Sequence, residues 1–210
     1  MVTSGEGVYD GFISRHLNRR LSRPIARALK RTPVTPNQVS VVSLGVAALA
    51  LVAFVYGYNI VGGVLTQVSS IVDGVDGDLA RVKGMASPFG GFLDAVLDRY
   101  ADVLIVMGLA MWTAIAQNAT LAWVLGFWAV TGSLIISYTR ARVPDAARTV
   151  FDRGVTSLAS RDVRLLVIAV GAVAGQGLVT LALIAGSTHG VVFLRLVRAR
   201  RVLANRDGDE

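Results

Sequence analysis

DGVDGDLARVKGMASPFGGFLDAVLD, residues 73 to 98, decides how the rest of this chain is read. It sets Asp73, Asp76, Asp94, Asp98 and Arg81 within a sequence that is otherwise membrane-like, where charge is scarce. Asp73 and Asp76 lie three residues apart and Asp94 and Asp98 four, so on helices each pair projects from one face. Ionisable side chains inside a bilayer are costly and mark functional sites. The pattern predicts an active centre carried by two helices.

The surrounding composition supports that setting. Of 210 residues, 53% are hydrophobic and 17% charged, and the mean hydropathy is +0.58, the profile of a polytopic membrane protein. Apolar stretches run over approximately 39–57, 60–82, 91–116, 120–139, 163–175 and 177–195. About 20 helical residues cross the hydrocarbon core. The fifth stretch is short, and Gly175-Gln176-Gly177 reads as a tight turn or a kink. A single helix there would exceed one crossing, so the reading is six spans. The fold expected is therefore all-α, with a cytoplasmic interfacial helix and turn over 1–38, a six-helix catalytic domain over 39–195 and a cytoplasmic tail over 196–210.

Lysines and arginines set the orientation. Seven precede the first span, from Arg15 to Arg31, Arg81 and Lys83 end the second, and Arg99 sits early in the third. Six more occupy 140–164 and five follow the sixth span, whereas the loops at Tyr58-Asn59, Gln117-Asn118-Ala119 and Gly175-Gln176-Gly177 are uncharged. The positive-inside rule then places both termini and the acidic cluster on the cytoplasmic side of the cell membrane. The net charge of +7 reflects topology. Nucleic acid is not an expected partner, since the few aromatic residues sit mostly within the spans. Residues 8–30 place Phe12, Leu17, Leu21, Ile25 and Leu29 at spacings of four or five among arginines, the signature of an amphipathic helix lying on the membrane surface. No apolar signal-peptide core is visible in the first thirty residues.

The chain has no cysteine, and His16 and His189 are its only histidines, so thiolate and imidazole metal sites are not expected. Asp73 lies about 15 Å inside the cytoplasmic end of the second span, and Asp94 and Asp98 about 6 and 12 Å along the third. On adjacent antiparallel helices the two pairs meet at similar depth. Four gathered carboxylates need protonation or cations to coexist. All-oxygen ligands suit Mg²⁺, Mn²⁺ or Ca²⁺, and two such ions would clamp a diphosphate for in-line displacement at phosphorus. Gly74, Gly77 and Ala80 permit close approach of a ligand or a neighbouring backbone. Residues 84–91, GMASPFGG, form a turn with Ser87 or Pro88 near the start of the third helix.

The order Asp73-x-x-Asp76-Gly77-x-x-Ala80-Arg81, eight residues, then Gly90-x-x-x-Asp94-x-x-x-Asp98 resembles the signature of the CDP-alcohol phosphotransferase (CDP-alcohol phosphatidyltransferase) family at every prescribed position. The resemblance extends to the six-helix layout and to Thr35-Pro36-Asn37. It implies that Asp73, Asp76 and Asp94 bind two divalent cations, Mg²⁺ foremost and Mn²⁺ second. Asp98 would be both a ligand and the base that deprotonates the acceptor hydroxyl. Asp73, Gly77, Ala80, Arg81 and Gly90 would line the CDP site, and CMP would leave. Asp78 and Asp102 lie outside the signature; Asp102 continues the face of Asp94 and Asp98, and Asp78 points elsewhere.

Residues 8–40 and SLASRDVR (157–164) further resemble the membrane domain of di-myo-inositol-phosphate-phosphate synthases, which join CDP-inositol to inositol 1-phosphate. The expected partners are thus a CDP-alcohol donor, a phosphorylated polyol acceptor and membrane lipid. A separate cytidylyltransferase is expected to supply the donor. Phospholipid synthases using CDP-diacylglycerol share the signature and are the alternative. The cytoplasmic arginines Arg140, Arg142, Arg148, Arg153, Arg161 and Arg164, chiefly Arg140, Arg142 and Arg161, are candidates to clamp the acceptor phosphate. The resemblance implies a homodimer, and small residues such as Gly108, Gly126 and Gly132 point the same way. A small ion-coupled transporter would place acids along a path across the bilayer and repeat broken helices in both halves, and neither pattern is seen. A purely structural subunit would give the aspartates no use.

Overall fold

The computed structural model describes residues 18–142 and 159–204. These form seven helices and no strand: α1 (Arg19–Leu29), α2 (Pro36–Val55), α3 (Asn59–Lys83), α4 (Pro88–Ala116), α5 (Ala119–Arg142), α6 (Arg161–Val173) and α7 (Gly177–Ala204). Four are long and apolar enough to cross a membrane, namely α2, α4, α5 and residues Gly177–Arg200 of α7. The all-α architecture and the integral-membrane character agree with expectation. Of the six expected spans, α3 falls short on apolarity because Asp73, Asp76, Asp78, Arg81 and Lys83 crowd its last turns, and α6 falls short on length, at 13 residues.

Local sequence explains where the helices begin and end. Thr35 and Gln38 form a reciprocal capping box before α2, with Gln38 N donating to Thr35 Oγ1 at 3.3 Å and Thr35 N to Gln38 Oε1 at 2.9 Å. Pro36 occupies the first helical position, where its missing N–H costs nothing. Gly84 ends α3 at φ +65°, a left-handed conformation that glycine adopts without strain. Ser87 starts α4, its Oγ accepting from Gly90 N at 3.0 Å. Gly175, at φ +70°, closes α6, so the stretch 163–195 is two helices and not one kinked helix.

Phe54, Ile105, Leu109, Leu165, Ile168, Leu181 and Ile184 form the main core, fully or almost fully buried. Outward-facing residues such as Leu49, Phe127 and Phe193 stay exposed along the apolar helices, as lipid contact requires. A smaller cluster of Ala26, Val39, Val75 and Leu79 fastens α1 to α2 and α3. Ser22 and Ala26 of α1 face inward, whereas Leu21 and Ile25 of its expected apolar stripe remain exposed. The portion of that amphipathic segment before residue 18 lies outside the described residues.

Helix order differs from a simple hairpin. α2 packs extensively on both α3 and α4, while α3 and α4 themselves touch little. They meet where their carboxylates converge. Gly108, Gly126 and Gly132 are not free for a second subunit. A Cβ on Gly108 would fall 2.9 Å from Leu51 Cα, one on Gly126 2.7 Å from Ala110 Cβ, and one on Gly132 would collide with Thr188 Oγ1. These glycines serve close packing within the chain, which corrects the reading of them as dimer contacts. His189 also has a packing role, edge-on to Trp128 with Nε2 3.1 Å from the Trp128 carbonyl oxygen. His16 lies outside the described residues.

The two ends of the bundle differ chemically. At one end Asn59 Nδ2 donates to the Ala172 carbonyl at 2.7 Å, Gln117 Nε2 donates to the Gly175 carbonyl at 2.7 Å, and Leu178 N donates to Gln117 Oε1 at 3.0 Å. The three uncharged loops are thus tied together. At the opposite end Lys83 Nζ donates to the carbonyls of Thr32 and Val34 at 2.7 and 2.6 Å, fixing α3 to the segment between α1 and α2.

Candidate active site

Oxygen atoms of Asp73, Asp76 and Asp94 all lie within 4.8 Å of one another. The three-residue spacing on α3 turns Asp73 and Asp76 to one side, and the start of α4 brings Asp94 opposite them. This is a hard, all-oxygen donor set with room between the groups, which fits a divalent cation of the Mg²⁺ or Mn²⁺ type. Ser40 of α2 donates its hydroxyl to Asp76 Oδ2 at 2.5 Å and holds that carboxylate in place. Ser40 was not foreseen. It falls one turn after the proline and capping box of α2, but sequence offers no sign that this turn would reach α3.

A cavity of about 230 Å³ opens beside Asp76 and Asp94. Gly77, Ala80, Arg81 and Gly90 all line it, together with Pro36, Asn37, Ser87 and Met85. Every signature residue assigned to a nucleotide site except Asp73 therefore faces the same space. Glycine matters at two of these positions. A Cβ on Gly77 would point into the opening, with Arg81 Nη2 at 3.9 Å as its nearest neighbour. A Cβ on Gly90 would crowd Asn37 Oδ1 and Ser87 Oγ at 3.2 Å each. Gly74 instead faces Ser22 of α1, so its small size serves helix packing.

Asp73 and Asp98 share a cation from α6. Arg161 Nη1 donates to Asp73 Oδ2 at 2.5 Å and lies 2.9 Å from Asp98 Oδ1, off the hydrogen-bond axis, so that oxygen has no hydrogen-bond partner among the described residues. Asp98 Oδ2 accepts from Arg99 Nη1 at 3.1 Å. Arg161 in turn is gripped by Asp102, whose Oδ1 accepts from Arg161 Nε at 3.1 Å and whose Oδ2 accepts from Arg164 Nη2 at 2.7 Å. Asp102 and Arg164 are both buried, and Arg164 also donates to the Ala159 carbonyl at 2.8 Å. The extra turn of the Asp94 and Asp98 face thus orients an arginine. Asp78 faces away, toward α1, accepting from Ser22 Oγ at 2.6 Å and from Arg81 Nη2 at 2.5 Å.

Of the three arginines singled out in sequence, only Arg161 reaches the aspartates. Arg140 and Arg142 are exposed residues at the end of α5. Arg164, one of the six arginines named as clamp candidates, is buried and instead pairs with Asp102, a partner that sequence does not indicate. Arg148 and Arg153 lie outside the described residues.

The chain is similar to known proteins over most of its length. Residues 33–192 match the model of the CDP-alcohol phosphatidyltransferase family. It is 43% identical over 166 residues to the bifunctional IPC transferase and DIPP synthase of Rubrobacter xylanophilus, covering 79% of this chain and 37% of that protein. The chain thus spans about a third of the length of these bifunctional relatives. It is 32% identical over 168 residues to the phosphatidylinositol phosphate synthase of Mycobacteroides abscessus, covering 80% of this chain and 74% of that protein. The crystal structure of Mycobacterium tuberculosis phosphatidylinositol phosphate synthase with CDP-DAG bound superimposes with a TM-score of 0.72 at 27% identity, covering 86% of this chain and 94% of that one. That protein has also been solved in complex with manganese and citrate. With Asp73, Asp76 and Asp94 clustered, the latter two lining one cavity, and the match running from the α2 cap into α7, the chain belongs to the CDP-alcohol phosphatidyltransferase family of transferases.

Proposed function

We propose that the protein transfers a substituted phosphate group from CDP-inositol to a hydroxyl of inositol 1-phosphate and releases CMP, at the cytoplasmic face of the membrane. The observation that carries this reading is the clustering of Asp73, Asp76 and Asp94, of which Asp76 and Asp94 line a cavity shared with Gly77, Ala80, Arg81 and Gly90. Two divalent cations, Mg²⁺ foremost, would be held by these aspartates with Asp98, and when bound they supply charge compensation at the donor diphosphate. Arg81 lies beside the phosphates. Asp98 takes the proton of the acceptor hydroxyl through the oxygen that has no hydrogen-bond partner. The acceptor oxygen then bonds to the phosphorus bearing the alcohol, and the phosphoanhydride P–O bond breaks with its electron pair leaving on CMP.

Arg161 is the residue placed to hold the acceptor's phosphate. Its Nη2 and the neighbouring Ser160 Oγ are buried without a hydrogen-bond partner among the described residues, so donors already stand at the α6 start for an incoming oxyanion. The bundle crosses the membrane six times, with α3 and α6 sheltered against their neighbours and α1 lying on the cytoplasmic surface. Both termini are on that side, the working unit is a homodimer, and a cytidylyltransferase activity supplies the donor.

One observation favours the alternative donor, CDP-diacylglycerol. An apolar groove of about 500 Å³ runs between α3 and α6, lined by Val64, Val68, Leu166, Val170 and Val173, and it would suit an acyl chain. Purified protein with Mg²⁺ should be offered CDP-inositol and CDP-diacylglycerol in parallel, each with inositol 1-phosphate or glycerol 3-phosphate, with CMP release as the readout. Release only from CDP-inositol with inositol 1-phosphate supports the reading. Release only from the lipid donor transfers it to phospholipid synthesis, and release from neither rejects both.

A further inference from the structure

Arg19, Arg23 and Arg27 recur at every fourth position of α1 and so stack along one stripe about 12 Å long. Across from them, α3 presents Asp78, Arg81 and Val82, and the two helices enclose a cavity of about 240 Å³. Among the described residues, four guanidinium groups therefore line a space containing one carboxylate. That carboxylate is already engaged, since Asp78 is buried and both its oxygens accept hydrogen bonds, one from Ser22 and one from Arg81. Among the described residues the pocket keeps a surplus of positive charge, carried by Arg23 and Arg27. Arg23 and Arg27 are exposed, and Arg81, 60% exposed, commits one nitrogen to Asp78.

The geometry separates this pocket from the donor cavity. Arg81 is the one residue that lines both, standing as the wall between them. Asp78 lines the pocket on the α3 side, held there by its hydrogen bond from Ser22 of α1. The other flank of α1 carries Leu21 and Ile25, exposed at 47% and 43%. A helix with an apolar flank and a stripe of arginines lies in the plane of a membrane surface, with its basic side at the depth of the headgroups. Guanidinium recognises phosphate through paired hydrogen bonds, and basic residues at this depth attract anionic lipid.

We propose that α1 and the end of α3 form a phosphate-binding pocket, distinct from the donor cavity, that takes the headgroup phosphate of an anionic membrane lipid. The pocket stands on the arginine geometry alone; assigning its ligand to lipid rests on the membrane placement proposed above. Apart from the shared Arg81, its residues have no assigned part in the transfer reaction, and its test reads binding directly.

The full chain in a neutral detergent should be titrated with phosphatidylglycerol in mixed micelles and, separately, with inorganic phosphate, following thermal unfolding and lipid retention by native mass spectrometry. A ligand that binds only the folded state raises the unfolding temperature saturably. The double variant R23A/R27A should weaken phosphatidylglycerol binding about 25-fold, or about fivefold per arginine. The charge-matched control R20A/K30A removes two exposed basic residues that do not line the pocket and should leave affinity within about twofold. Protection by phosphatidylglycerol alone assigns the site to a lipid headgroup. Protection by inorganic phosphate with no further gain from the lipid keeps the pocket and overturns its lipid assignment. No protection by either, or equal loss in both double variants, overturns the pocket.

Discussion

Asp98 and Asp102 are one helical turn apart on α4, yet their surroundings give them different work. Among the described residues Asp98 Oδ1 has an ion pair with Arg161 but no hydrogen-bond partner, whereas both oxygens of Asp102 accept hydrogen bonds from arginines. Asp98→Asn preserves shape and removes the base, so CMP release should fall by about 10²–10⁴-fold while nucleotide binding persists; turnover near the wild-type rate would refute the assignment. Asp102→Asn leaves Arg164 buried without its counter-charge, and thermal unfolding in detergent should show a loss of about 3 kcal/mol. Loosening of Arg161 should also raise the KM for the phosphorylated acceptor more than it lowers kcat. The signature aspartates were legible in sequence because their spacing repeats a helical face. The pairing of Asp102 with Arg161 and Arg164 spans 59 and 62 residues of chain, and no periodicity encodes it.

Among the helices, α3 and α6 are set by how closely their backbones approach. A Cβ on Gly63 would lie 2.8 Å from the Ala169 carbonyl oxygen and 3.1 Å from Ala172 Cβ. Gly63→Leu should therefore force the two helices apart, costing about 1–3 kcal/mol in unfolding experiments. Because Arg161 starts α6 and Asp73 lies on α3, the same substitution should reduce CMP release. Full activity in a destabilised Gly63→Leu protein would show that the Arg161–Asp73 contact is dispensable. Sequence marked the helix ends well, through Thr35-Pro36, Gly84, Ser87 and Gly175. It placed the α3 and α4 pairs facing each other, and the carboxylates do converge, but the two helices touch little elsewhere because α2 packs on both. Helix–helix neighbours depend on which small residues nest together, a property of two surfaces that neither sequence shows alone.

Across the whole molecule, the uncharged loops gather at one end and the basic segments and acidic cluster belong toward the other. The absence of native cysteine makes this directly testable. In intact cells, Asn118→Cys and Gln176→Cys should react with an impermeant maleimide added outside, and Met85→Cys only after the membrane is opened. Labelling of Met85→Cys from outside would invert the proposed orientation. Chelation should abolish CMP release, with recovery on adding Mg²⁺ or Mn²⁺, because the clustered aspartates need cations to hold a diphosphate. Activity that survives exhaustive chelation would refute the metal-dependent reading.

Sequence by itself determined the helical class, the helix boundaries apart from the end of α7, which runs to Ala204 through the start of the expected tail, and the aspartates that cluster, because these follow from local periodicity, capping and the cost of charge in an apolar chain. Tertiary structure alone decided that α2 packs on both α3 and α4, that Ser40 holds Asp76 and Asp102 holds Arg161, that Arg161 rather than Arg140 or Arg142 reaches the clustered aspartates, and that Asp78 turns to α1. Each of these depends on side chains brought together from distant segments, where packing geometry and the pairing of buried charge select among arrangements that local sequence leaves equal.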